Sequence, residues 1–288
     1  MKVLVTGGAG FVGTNLINKL IKDGHEVVSI DNYSTGFTEN HNIKATYHNL
    51  DVAKVTSYTA YIKPDVVFHL AALARIQPSL KDPRKCIENN FNGTFNVVEW
   101  CRINNIPLVY AGSSSMHHGL YGSPYAWSKF GGEELCRLYT EAFGLKTAIC
   151  RFYNVYGDYQ LEDGDYATVI GIFLKQFREG KPLTITSDGE QRRDFTHVDF
   201  IVEGLARCAH GLLNDTLLEG ETFELGTGSN HSINELADMF PPDHPREYIP
   251  KRKGEYDYTL CDISHAEEVL GYEPKDVLKD YIRKEINA

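Results

Sequence analysis

No stretch of this 288-residue chain comes near the ~18–20 consecutive apolar residues that a bilayer-spanning helix requires. The opening residues, MKVLVTGGAGFVG, lack the apolar core and small-residue cleavage site of a secretory leader and read as strand and turn. Cysteine is sparse and scattered, at positions 86, 101, 136, 150, 208 and 261, with no CxxC spacing. That argues against a disulfide framework or a thiolate metal site, so reduced, buried thiols are expected. His117-His118, the one adjacent histidine pair, lacks further ligands nearby and is expected in a loop, and no metal is predicted. Asn92-Gly93-Thr94 fits a glycosylation sequon, but without a leader it reads as chance. Positive charge is also in deficit: 29 Lys and Arg against 39 Asp and Glu give a net charge of −10. Nucleic-acid backbones demand a basic face, so no nucleic-acid partner is expected. A small anionic ligand requires arginines gathered locally. The composition predicts a soluble, cytoplasmic protein with no membrane partner.

What the chain does have is an alternation of short apolar runs with helix-length segments. Val3–Thr6, Glu26–Ile30, Ala45–Leu50, Asp65–Leu70, Pro107–Ala111 and Lys146–Cys150 read as strands. Helices are predicted over Val12–Asp23, Lys54–Ile62, Pro83–Asn104 and Pro124–Phe143. Near-continuous apolar strands alternating with helices indicate an α/β, Rossmann-type doubly wound parallel sheet. After Arg151 the pattern loosens, and PPDHPREYIPKRKGEYDY is rich in proline and charge. The expected division is a dinucleotide-binding domain over 1–160 and a smaller mixed α/β substrate-binding domain over 161–288. A helix near Val198–Gly211 and a strand near Thr222–Leu225 are expected to return to the first domain.

In VLVTGGAGFVG, Gly7, Gly10 and Gly13 fall between the first strand and the first helix. Glycines there permit a tight turn and close approach to a pyrophosphate, which the helix N-terminus holds with its free N–H groups. A glycine triplet alone is weak evidence, but Asp31 at the end of the second strand completes the fingerprint. A carboxylate there accepts hydrogen bonds from a ribose diol and repels a 2′-phosphate, and no arginine follows it in DNYSTG. NAD is therefore favoured over NADP.

In YGSPYAWSKFGGEEL, Ser123 is a plausible N-cap, Pro124 suits the first helical position, and Tyr125 and Lys129 lie one turn apart. A phenol titrates near pH ~10, so its use as a base at neutrality requires positive surroundings strong enough to overcome burial. Lys129, the helix dipole and a cationic nicotinamide are expected to supply them. Gly131 and Gly132 each cost the helix ~1 kcal/mol relative to alanine, which points to close approach of another backbone.

TGGAGFVG, DNYSTG, HLAA, NNFNGT, SSS, YAWSK, RFYNVYG, RRDFTHVD and RKGEYDYTLCD, in this order, resemble the extended short-chain dehydrogenase/reductase family, and within it the nucleotide-sugar 4-epimerases. The resemblance runs nearly end to end. It implies Ser115, Tyr125 and Lys129 as catalytic residues. It places Phe11 and Val12 at the cofactor pyrophosphate, and Asp31, Asn32, Tyr33, Ser34, Thr35 and Gly36 around the adenosine. Asp51 and Val52 fall at the adenine, while Leu70, Ala71, Ala72, Ala74, Asn90, Ser113 and Tyr153 line the rest of the NAD groove with Tyr125 and Lys129. Asn154, Val169, Arg193 and Arg252 are implied at the nucleotide diphosphate sugar, Glu255 at the nucleoside ribose and Thr259 at a wall beside the sugar. The small Thr259 leads to an expectation that N-acetylated sugars are tolerated.

The implied reaction is C4 epimerisation through a transient 4-keto sugar, with Tyr125 moving the hydroxyl proton. Only MHHGLYGSP separates Ser115 from Tyr125, much less than the family's usual loop, so the floor or lid over the sugar is expected to be trimmed. Asp199-Phe200 stands where paired aspartates are usual, and is taken as structural. A 4,6-dehydratase is disfavoured because SSSMHHG carries no carboxylate. A UDP-uronate decarboxylase is the other family alternative, with Arg75 in ALARIQPS as a group to meet a sugar carboxylate. A non-catalytic NAD-binding regulator is the alternative from another class. A homodimer through the helices over 83–104 and 124–143 is the expected assembly.

Overall fold

The computed structural model describes residues 1–54, 62–217, 219–252 and 254–288. Residues 55–61 of the helix expected over 54–62 lie outside this description. Strands β1 (Lys2–Thr6), β2 (Glu26–Asp31), β3 (Thr46–Asn49), β4 (Val66–His69), β5 (Leu108–Ser113) and β6 (Thr147–Phe152) build a parallel sheet. Its seventh member, Glu221–Leu225, pairs with β6 in parallel, so the order is Glu221–Leu225, β6, β5, β4, β1, β2, β3.

The two-residue period of the strands divides the core. Val3 and Val5 of β1 face helix α1 (Phe11–Lys22) and the Val198–Leu213 helix. Leu4 faces the opposite side, where Trp100, Cys136 and Tyr139 belong to the Gly93–Asn104 and Pro124–Phe143 helices. Burial on both faces is why the strands read as unbroken apolar runs. The fold is a doubly wound Rossmann-type sheet.

A third apolar cluster lies outside this sandwich. Phe173 and Leu174 of the Val169–Arg178 helix, Leu183 and Ile185, Leu236, Phe240 and Ile282 pack together. Here Leu183–Thr186 pairs in parallel with Arg246–Ile249, and Arg192–Arg193 pairs antiparallel with His231–Ser232. The polypeptide enters this region after β6, returns to the main sheet through residues 198–225, and leaves again.

The predicted helix over Pro83–Asn104 is interrupted. Residues Glu88–Asn92 form a π-helical turn between Pro83–Ile87 and Gly93–Asn104. The wider turn accommodates one extra residue, and two of the three asparagines it carries, Asn89 and Asn90, serve different surroundings, described below. All six cysteines are free and buried. Among the described residues no helix is long and apolar enough to cross a membrane, and no three His, Cys, Asp or Glu side chains group as metal ligands.

Candidate active site

The turn after β1 is shaped by glycines with no room for side chains. Gly7 has φ +74°, and a Cβ there would lie 2.7 Å from Ala71 N. At Gly13 it would lie 2.1 Å from Gly7 O, so α1 packs directly on the turn. Gly10 caps α1 in an extended conformation with no side chain accepting from the helix. The first N–H groups of α1 therefore face the cleft uncapped, which suits a pyrophosphate. Gly7, Gly10, Phe11, Val12 and Gly13 line this cleft, together with Leu70, Ala71, Ala72 and Ala74 after β4.

Asp31 is held from both sides. Its Oδ2 accepts from Ala9 N at 2.9 Å and its Oδ1 from Tyr33 N at 2.8 Å, which fixes the carboxylate at the cleft wall. Asn32, Ser34, Thr35 and Val52 line the same end. Three other residues assigned to the adenosine region stand behind it. Tyr33 bonds His41 Nε2 at 3.0 Å, Gly36 packs on Ala9, and Asp51 accepts from Asn32 Nδ2 at 3.1 Å and from Ala53 N at 2.8 Å. The glycine cradle, uncapped helix and fixed carboxylate together fit a dinucleotide.

On the far side of the cleft the π turn splits the roles of two neighbours. Asn90, assigned to the groove, is buried: its Oδ1 accepts from Leu73 N at 2.7 Å and its Nδ2 donates to Leu73 O at 3.1 Å. Asn89 is the one that lines the cleft. The extra residue per turn explains the exchange, since no regular helical period places it. Asn90 thus holds the Leu73 backbone while its neighbour reaches the groove.

Ser123 caps the Pro124–Phe143 helix, accepting from Ala126 N at 3.1 Å, and Pro124 occupies its first turn. The Tyr125 hydroxyl stands 3.5 Å from Ser113 Oγ, which is 2.9 Å from Ser115 Oγ. Ser115, implied as a catalytic residue, is thus one hydroxyl removed from the phenol, and Ser113 is the phenol's direct neighbour. Lys129 is buried, with its ammonium 4.4 Å from the centre of the Tyr110 ring, and burial lowers its pKa to about 8.

The part expected of Lys129 requires correction. Burial pushes the Tyr125 phenol above its ordinary value, and its hydrogen bond with Ser113 and the charge of Arg75 only moderate this. Among the described residues the cation acting on the phenol is Arg75, while Lys129 rests on an aromatic face. The glycine expectation also changes in kind. A Cβ at Gly132 would lie 2.2 Å from the Tyr110 hydroxyl, and one at Gly131 would lie 2.9 Å from the Phe91 ring. The close neighbours are side chains, and Gly132 makes room for the ring that carries Lys129.

Behind the serines runs a buried ionic chain. Glu133, with its side chain fully enclosed, engages Arg151 at 2.7 and 3.0 Å, and Arg151 engages Glu224 at 2.8 Å. His117, in the shortened loop, meets the same Glu224 oxygen at 2.7 Å. Ser113 N donates to Glu133 Oε1 at 3.5 Å. The chain ties the loop and the end of β5 to the sheet edge.

The segment after residue 250 closes on the RRDF stretch. Arg193 donates to Tyr256 O at 2.5 Å, and its charge interacts with Glu255, which lies 4.0 Å from Arg252. Two arginines distant in sequence thus flank one carboxylate. Asn154 donates to Thr259 Oγ1 at 3.2 Å and to Asp194 O at 3.0 Å. Thr259 itself is buried and accepts also from Asp194 N at 3.1 Å, so its hydroxyl braces Asn154 from within. Val169 begins its helix after the Thr168 cap, and Tyr153 is buried beside Glu224, where desolvation raises its pKa.

Sequence reasoning left several groups unassigned. Leu161, Tyr166 and Thr168 join the cleft from the loop before Val169–Arg178, a loop whose course no local pattern specifies. Tyr256 reaches Ser115 O with its hydroxyl at 3.5 Å. Asp194 accepts from Thr227 N, Gly228 N and Cys261 N, at 2.9 to 3.1 Å, and burial raises its pKa. Its place in RRDFTHVD was the available signal.

Comparison with known proteins finds relatives along nearly the whole chain. A UDP-glucose 4-epimerase of Mycolicibacterium smegmatis is 33% identical over 314 residues, covering 99% of this chain and 97% of that protein. The crystal structure of a UDP-glucose 4-epimerase of Thermotoga maritima with UDP-glucose superposes with TM-score 0.91 at 28% identity, covering 100% of this chain and 98% of the other. A UDP-glucuronic acid 4-epimerase of Bacillus cereus, solved with UDP-glucuronic acid and NAD, gives TM-score 0.89 at 30% identity, with coverage of 100% and 98%. A family model matches residues 3–226, from the first strand of the glycine turn to the last strand of the main sheet, and this chain belongs to the NAD dependent epimerase/dehydratase family.

Proposed function

We propose that this protein is an NAD-dependent epimerase acting at C4 of the sugar in a nucleotide-diphosphate sugar, with UDP as the favoured nucleotide. The observation that carries the reading is the Tyr125 hydroxyl set 3.5 Å from the Ser113–Ser115 hydroxyl pair, in a chain whose glycine cradle and Asp31 fit a dinucleotide. The α1 N-terminus, Asp31 and the lining of the cleft would hold NAD, which supplies the hydride acceptor and donor and a positive nicotinamide ring.

The chain's own residues then manage the proton and the orientation. Tyr125 takes the proton from the C4 hydroxyl and returns it to the epimeric alcohol, so it ends each cycle as it began. Ser113 and Ser115 hold the hydroxyl and keto oxygen in line with the phenol. Arg193 and Asn154, with Arg252 at the rim, hold the diphosphate, which suits arginine because its planar fork engages two phosphate oxygens. Anchoring at the diphosphate leaves the sugar free to turn over between the two hydride transfers.

The test is interconversion of UDP-sugars without added NAD, monitored by chromatography of the sugar nucleotide. Tyr125→Phe is expected to lower turnover by about 10²–10⁴-fold, the range for a positioned proton-transfer group. Retained turnover in that variant, or carbon dioxide release from a UDP-uronate as the sole reaction, would defeat the reading.

A further inference from the structure

Among the described residues, Arg75 is a cation in the cleft that has no carboxylate counter-ion. Its side chain is part of the cleft lining, and its Nε donates to Tyr166 O at 3.0 Å. No carboxylate pairs with it among the described residues. The acidic residue beside its acceptor, Asp165, is held by Lys81 at 2.9 Å, and Asp31 at the other end of the cleft is held by two backbone amides. A desolvated guanidinium bonded to a single neutral carbonyl is costly, and a neutral side chain there would remove the cost.

The site chemistry narrows what the charge is for. The cofactor pyrophosphate has the uncapped α1 N-terminus behind Gly7 and Gly13, and the substrate diphosphate has Arg193 and Arg252 on another segment. Arg75 instead opens the Ile76–Lys81 helix, whose Ser79 Oγ accepts from Tyr125 N at 3.2 Å, so it stands toward the end of the cleft where the phenol is held, and its charge acts on that phenol. An anion at that end belongs to the sugar.

We infer that Arg75 binds a carboxylate carried by the sugar, so that the preferred substrate is a nucleotide-diphosphate hexuronate rather than a neutral hexose. This rests on the epimerase reading given above and names the substrate class of the same site. The guanidinium plane, fixed at Nε by the Tyr166 carbonyl, keeps its terminal nitrogens for the carboxylate, a pairing stronger than a neutral hydrogen bond. No bond is made or broken at Arg75, and its part is selection.

The experiment compares UDP-glucuronate with UDP-glucose on NAD-loaded wild-type protein, Arg75→Gln and Arg75→Lys, measuring kcat and KM for each. The wild type is expected to favour the uronate, and Arg75→Gln to reduce that preference about 10- to 100-fold, mainly through KM, as for loss of a charged hydrogen bond. Arg75→Lys should keep part of the preference. Calorimetric affinities for both nucleotides, and native mass spectrometry of bound NAD, accompany the kinetics. Wild-type preference for UDP-glucose, equal losses for both sugars, or loss of NAD in Arg75→Gln overturns the inference. If neither sugar is epimerised the catalytic reading fails on its own, and the ratio of affinities still decides the role of Arg75.

Discussion

The ammonium of Lys129 lies 4.4 Å from the centre of the Tyr110 ring, and that ring is seated where Gly132 has no side chain. Two features read separately in the sequence, a lysine after the tyrosine and a glycine pair after the lysine, are one piece of packing.

Lys129 makes stability depend on pH. Burial depresses its pKa from 10.5 to about 8, so between those values the unfolded chain binds more protons than the folded one. Stability is therefore expected to rise as pH increases from 8 to 10.5, and the full cost of about 3 kcal/mol, at 1.36 kcal/mol per unit, is present below pH 8. Lys129→Met should be more stable than wild type at pH 7, with the advantage shrinking toward pH 10, and should lose activity. Urea denaturation at the two pH values tests this, and an equal or opposite difference would show the lysine to be compensated.

Gly132→Ala places a methyl group 2.2 Å from the Tyr110 hydroxyl, so the ring or the helix has to move. The expected loss is about 1–3 kcal/mol, as for overpacking of a close-packed site. Adding Tyr110→Phe removes the nearest atom but leaves the ring carbon at 2.6 Å, so it should restore only part of the loss. A double-mutant cycle by chemical denaturation measures the coupling, and strict additivity would contradict the contact.

Glu133→Ala removes the enclosed partner of Arg151 and is expected to cost about 3–5 kcal/mol, the usual result of leaving a buried charge unpaired. Glu133→Gln keeps the shape and should cost less if the guanidinium is satisfied by Glu224. Thermal unfolding of both variants checks the order, and equal stability of Glu133→Ala and wild type would remove the ionic chain from the account.

Ile103, Leu138, Phe143 and Phe95 are 62%, 53%, 57% and 44% exposed on the adjoining Gly93–Asn104 and Pro124–Phe143 helices. We propose that this apolar face pairs with its own copy across a two-fold axis, the arrangement most homo-oligomers adopt. Leu138→Glu should convert a dimer to a monomer in light scattering without loss of secondary structure. A wild-type protein that scatters as a monomer at micromolar concentration would end the proposal.

The sheet was legible because its strands are buried on both faces and its helices carry clear caps, as at Ser123-Pro124. The glycine turn was legible for a related reason: Gly7 and Gly13 are positions where any side chain collides with backbone. Less was readable where the chain depends on distant partners. Asn89 and Asn90 are indistinguishable by sequence period until a π turn separates them. The sign of the shift at Tyr125 depends on how much water its surroundings exclude, and composition does not report that. Arg75 stood in the sequence as a partner for a sugar acid, but its lack of a counter-ion among the described residues is a property of the assembled cleft.

The strand Glu221–Leu225 has a consequence for biosynthesis. During translation β6 emerges long before the strand that covers it, and until then its outer edge offers unpaired amides and carbonyls to any other nascent or misfolded chain. Release of a chain halted between these two strands leaves an open sheet, so premature termination there should yield aggregates rather than a smaller soluble protein.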